Sequence, residues 1–101
     1  MNPAVETASV DAENEFTEAL TLKAGETASI SISGTFVADV ELQRQLPGQS
    51  SWNTVQRPDG TSVFDAPYEG SYKADERCDI RLGVPTGSYT SGTAVCRLGR
   101  G

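Results

Sequence analysis

Residues 81–100 read RLGVPTGSYTSGTAVCRLGR, and the tripeptide Arg81-Leu82-Gly83 returns as Arg97-Leu98-Gly99 on the far side of a stretch full of turn residues. Within the stretch, Ala94, Cys96 and Leu98 are apolar at every second position, and Cys78, Ile80 and Leu82 do the same just before it. A period of two places alternate side chains on opposite faces of a pleated strand, so both segments read as half-buried antiparallel strands. Each RLG copy then has its Leu directed inward and its Arg outward.

The same period runs outward from this stretch. Ala28, Ile30 and Ile32 carry it, then Phe36, Ala38, Val40 and Leu42, and later Tyr68, Gly70, Tyr72 and Ala74. Ser33-Gly34-Thr35, Leu46-Pro47-Gly48, Arg57-Pro58-Asp59-Gly60 and Pro85-Thr86-Gly87 supply turn chemistry between the runs. Short strands at such spacing predict an all-β fold, an antiparallel β-sandwich or a jelly-roll-like small barrel. The 101 residues fit one domain over residues 15–101. Residues 1–14, MNPAVETASVDAEN, are small, polar and acidic, and are expected to form an arm that is flexible or ordered by a partner.

Two registers follow from keeping apolar residues on one face. Ile32 opposite Phe36, Ile30 opposite Ala38 and Ala28 opposite Val40 make a hairpin with Ser33-Gly34-Thr35 as its loop. Asp79 opposite Arg97, with Ile80 opposite Cys96 and Leu82 opposite Ala94, makes a second hairpin that avoids setting like charges face to face. In that register Cys78 and Cys96 are diagonal neighbours beyond disulfide reach, which predicts two buried, reduced thiols.

Charge narrows the function. The formal net charge of -6 argues against nucleic-acid partners and anionic membranes, which need clustered Lys and Arg. No run approaches the ~18 apolar residues of a spanning helix, and no signal-peptide pattern opens the chain, so a cytosolic, soluble product is expected. Through position 41 the only base is Lys23, whereas Lys73, Arg77, Arg81, Arg97 and Arg100 cluster late. An acidic front and a basic back suit head-to-tail contact between copies.

Nothing in the pattern assembles chemistry. There is no histidine, the acids alternate outward as at Asp39 and Glu41, and the two cysteines are in phase with the core. Asp59-Gly60 fits a tight turn better than a calcium loop, and no cofactor or metal is expected. Trp52, Tyr68, Tyr72 and Tyr89 are the possible aromatic platform. Tyr68 and Tyr72 suit the core, leaving Trp52 and the loop residue Tyr89 to carry a carbohydrate-binding alternative.

The segment from Ser33 to Arg44, SGTFVADVELQR, with Gly48, Trp52 and the closing pattern from Arg81 to Gly99, resembles small β-sandwich virion proteins of tailed bacteriophages over about residues 16–99. The LQR…G…W piece also looks like a degenerate form of the repeat in sialidase-type and fibre β-proteins, without the Asp that precedes its Gly. The resemblance implies a non-enzymatic structural protein, of the kind that decorates or cements a phage head by bridging subunits of the major capsid protein. A neck, head-fibre or tail-associated role in the same virion is the alternative. It further implies a homo-oligomer, with three copies the expected number, assembled in the bacterial host cytoplasm and carried in the virion. The expected contact residues are Val5 and Val10 on the arm, Tyr89 in the 83–93 loop, and the outward Arg81, Arg97 and Arg100.

Overall fold

A computed structural model describes residues 4–55 and 63–100, and all of its regular structure is β. In chain order the strands are β1 (Ala4–Val10), β2 (Glu15–Phe16), β3 (Leu20–Leu22), β4 (Thr27–Ser33), β5 (Phe36–Ala38), β6 (Glu41–Gln45), β7 (Asn53–Thr54), β8 (Tyr68–Lys73), β9 (Cys78–Val84), β10 (Tyr89–Gly92) and β11 (Ala94–Arg100). All pairings are antiparallel. Sheet A runs β1-β11-β4-β8; sheet B has β9 at its centre, with β2 and β3 along one edge and β6 then β7 on the other. The two sheets share one apolar core, to which every predicted inward run contributes, and form a small β-sandwich.

A single bent ribbon explains the architecture. β4-β5-β6 runs antiparallel to β9-β10-β11, so that β4 pairs β11, β5 pairs β10 and β6 pairs β9. One register runs from Ala28↔Arg100 through Val37↔Ser91 and shifts at Tyr89↔Ala38, and pairing starts again at Glu41↔Gly83 in a different register. The ribbon therefore leaves sheet A, turns a corner at β5–β10 and enters sheet B. At the corner the two Ser-Gly-Thr copies, residues 33–35 and 91–93, lie against each other. Gly34 has φ +96° and Gly92 φ +83°, and a Cβ on Gly34 would lie 2.5 Å from the Thr93 carbonyl oxygen, while one on Gly92 would meet that of Thr35. Only glycine adopts this left-handed backbone without strain and leaves room for the opposing chain.

Both predicted hairpins are therefore replaced. Ser33-Gly34-Thr35 is a corner and not a hairpin loop, because β4 already has β11 and β8 on its two sides and has no edge left for residues 36–40. The segments around the two RLG copies belong to opposite sheets: Arg97 lies opposite Ser31 and Thr7, and Asp79 opposite Gln45 and Thr21. Cys78 and Cys96 are buried free thiols, as expected, but they are kept apart by lying in different sheets. Among the other predicted turns, Gln49 N–H donates to Leu46 O (3.0 Å) and Ser88 N–H to Pro85 O (3.2 Å). Arg57-Pro58-Asp59-Gly60 lies outside the described residues.

Residues 4–10 also differ from expectation. They are a strand of the chain's own sheet, paired along their length with β11, with Val10 1% exposed in the core. Beside them, β2 and β3 flank β9 with a break at 17–19 that buried Thr17 spans, its N–H donating to Leu82 O (2.9 Å) and its Oγ1 accepting from Leu82 N–H (3.1 Å). At the end away from the corner, two arginines tie the sheets together. Arg44 of β6 donates from Nη1 to the Tyr72 hydroxyl and to Asp75 Oδ1, both at 3.1 Å; Arg100 of β11 donates to the Thr21 carbonyl at 2.6 Å.

One more regularity orders the whole molecule. Every pairing among the described strands joins a strand from residues 4–45 to one from residues 53–100, so the two halves of the chain alternate across both sheets.

Candidate functional site

The outward faces of the two sheets carry the candidate contact residues, and each RLG copy organises one face. On sheet A, β11 presents Val95, Arg97 and Gly99 outward, beside Ser9, Thr7 and Val5 of β1 and Ser33, Ser31 and Ser29 of β4. Short hydroxyl side chains leave this face flat. Val5 and Val95 stand out from it, 41% and 40% exposed. A Cβ on Gly99 would sit 3.0 Å from Arg97 Nη1, so the missing side chain makes room for the guanidinium to lie along the strand, where it donates a long 3.4 Å hydrogen bond to Ser29 Oγ. Val5, Thr27, Ser29, Ser71, Arg97 and Arg100 line a shallow depression of about 370 Å³ there.

On sheet B the same spacing serves a different group. A Cβ on Gly83 would lie 2.5 Å from Phe16 Cα and 2.8 Å from its ring, and would collide with the Glu15 carbonyl oxygen. The absent side chain lets β2 close on β9 and lets the Phe16 ring reach Arg81. The Arg81 guanidinium carbon stands 3.9 Å from the centre of the Phe16 ring and 4.5 Å from that of Trp52, with one ring arriving from each side of β9. Such stacking is favourable because the ring faces are electron-rich. Arg81 Nε donates to Gln43 Oε1 (2.9 Å), Gln43 Nε2 to Glu41 Oε1 (3.2 Å), and Thr54 Oγ1 to the same Glu41 oxygen (2.8 Å). Gln43, though on the outward face, is only 8% exposed beneath this cover. Partial burial between the rings lowers the Arg81 pKa from its ordinary value, though the group stays a cation.

Of the six expected contact residues, the sheet A depression brings together Val5, Arg97 and Arg100, although Arg100 also spends a donor on Thr21. Arg81 is outward on the opposite sheet. Val10 is core, since β1 turns its side chain inward over β11. Tyr89 begins β10 instead of lying in a loop; it is half-buried against the core and its hydroxyl donates to Gly92 O (2.8 Å). Trp52 and Tyr89 thus lie on different elements, Trp52 over sheet B and Tyr89 in the corner pair. Sequence reasoning missed Phe16, Trp52 and Gln43 as neighbours of Arg81; the one available signal was Gly83, two positions on and on the same face.

Burial pushes the Cys96 thiol up to about 12 and raises that of Cys78, which is the reverse of what a reactive thiol needs. Burial also raises the Tyr72 hydroxyl, against the opposing effect of its hydrogen bond from Arg44. Among the described residues no group of three or more metal-ligating side chains gathers, and no helix is long and apolar enough to cross a membrane. Compared with known proteins, the chain matches no family model, no curated protein and no solved structure.

Proposed function

We propose that the protein is a non-enzymatic structural component of a bacteriophage virion, of the head decoration type, docking on major capsid protein subunits through the outer face of sheet A. The observation that carries this reading is that face itself: a flat, hydroxyl-rich sheet with Val5 and Val95 standing out, around an arginine held by one long hydrogen bond. Protein interfaces combine exposed apolar anchors with arginine in this way, on surfaces rigid enough to lose little entropy on docking. The resemblance of residues 16–99 to small phage β-sandwich proteins supports the virion setting and implies a homo-oligomer of three copies; the acidic front and basic back of the sequence add nothing to it, because their strands interleave in both sheets.

Quantitative mass spectrometry of gradient-purified virions, scaled to the major capsid protein, tests the role. Copies comparable to the capsid protein are expected; a handful per particle would move the protein to the neck, a fibre or the tail, and absence would overturn the virion reading. The docking face is tested by co-sedimentation with purified heads, where Val5→Glu with Arg97→Glu is expected to lower occupancy at least tenfold. Removing residues 1–14 is not a suitable test, because it would take β1 out of sheet A.

A further inference from the structure

The Arg81 clamp on sheet B plays no part in the docking face just described. Its guanidinium carbon lies over two rings, those of Phe16 and Trp52, and its Nε is committed to Gln43. Among the described residues, no carboxylate forms an ion pair with it and no acceptor bonds its two terminal nitrogens. The side chain is held in place by a chain of donors and acceptors through Gln43, Glu41 and Thr54, so its open edge is fixed in direction before anything binds.

We propose that the open edge of Arg81 is a binding site for a carboxylate presented by an Asp or Glu side chain of a protein partner. Three features select this ligand. With Nε committed and two rings packed over the guanidinium carbon, the terminal nitrogens are what remains for an acceptor, and a flat carboxylate takes two parallel N–H bonds from such a fork. A net charge of -6 repels polyanions such as nucleic acid at a distance, whereas one carboxylate is held by short-range contact. Phe16 and Trp52 add apolar surface at the rim for the rest of the partner's side chain. Arginine beside tryptophan is also the composition in which interface energy concentrates. The proposal does not depend on the virion reading, since any protein with a suitably placed acid satisfies it.

Trp52 is the only tryptophan and reports on the site directly. The full chain is titrated with acetyl-Gly-Glu-Gly-amide, acetyl-Gly-Gln-Gly-amide and inorganic phosphate at matched ionic strength, following Trp52 emission and the Arg81 Nε–H resonance. The Glu peptide is expected to move both signals saturably, with a half-saturating concentration at least tenfold below that of phosphate and of the Gln peptide. Arg81→Lys, which keeps the charge and loses the planar fork, is expected to abolish the Trp52 response. No saturable response, equal responses to the Glu and Gln peptides, phosphate binding as tightly as the Glu peptide, or an unchanged response in a folded Arg81→Lys variant would each overturn the assignment. The comparison of probes on the wild-type chain decides the matter even if the variant fails to fold.

Discussion

Gly83 and Gly99 hold equivalent places in the two RLG copies, yet they give way to different things. Under Gly83 lie the backbone of β2 and the ring of Phe16; over Gly99 lie the Ser29 hydroxyl and the far end of the Arg97 side chain, which can rotate away where backbone cannot. Gly83→Ala should therefore cost about 2–3 kcal/mol, as overpacking against backbone does, while Gly99→Ala should cost less than half as much; urea unfolding of both variants checks the contrast. The buried thiol makes a second prediction at this scale. An unfolded cysteine ionises near pH 8.5, but Cys96 in the fold holds its proton up to about 12. The unfolded state thus binds fewer protons between these values, and stability must fall as pH rises through that window. Thermal unfolding from pH 8 to 11 should show the decline, and Cys96→Ala, though less stable at pH 8, should show a shallower one. Neither thiol should react with a thiol reagent at pH 8 until the protein unfolds.

At the scale of elements, alternation told which face each strand turns inward and was silent on its neighbour. Ala28, Ile30 and Ile32, and Ala94, Cys96 and Leu98, are all buried as read. Their pairing with each other, across most of the chain, was not legible, because a local turn at Ser33-Gly34-Thr35 offered a nearer partner. Ser-Gly-Thr stands at residues 33–35 and again at 91–93, but nothing local in the sequence says that the two copies meet. β1 escaped notice for a different reason. Its inward positions include Glu6 and Ala8, half-buried at the sheet edge, so no apolar period marks it. An inward acid on an edge strand has a use, since it discourages another strand from adding there. The outward direction of Arg81 was readable from its place between Ile80 and Leu82, but the rings that clamp it come from distant parts of the sequence. The corner carries its own prediction: because each of Gly34 and Gly92 rests on the other strand, Gly34→Ala and Gly92→Ala should couple by about 0.5–3 kcal/mol in a double-mutant cycle. Additive effects would mean the two glycines act separately.

Over the whole molecule, the Cα radius of gyration of 12.7 Å agrees with the ~13 Å expected of one domain this long. The class of fold was legible because composition, period and turn residues all pointed to it; the topology was not, because it rests on pairings such as Ala28↔Arg100. Contacts between such distant residues slow folding, since a large loop must close before they form. Refolding followed by Trp52 fluorescence should take milliseconds to seconds, and completion within microseconds would contradict the ribbon.

The alternation of the two halves across both sheets has a consequence for a chain emerging from the ribosome. The first six strands leave the exit with no partners among themselves, and β11, which fills the gap between β1 and β4, arrives last. Nothing stable can form until β11 has emerged, and up to that point the chain depends on its acidic, small-residue composition to stay apart from its neighbours. The same interleaving means that a cut in the exposed turn at Pro47–Gly48 would leave two pieces, each unfolded alone, that hold one another together strand by strand once mixed.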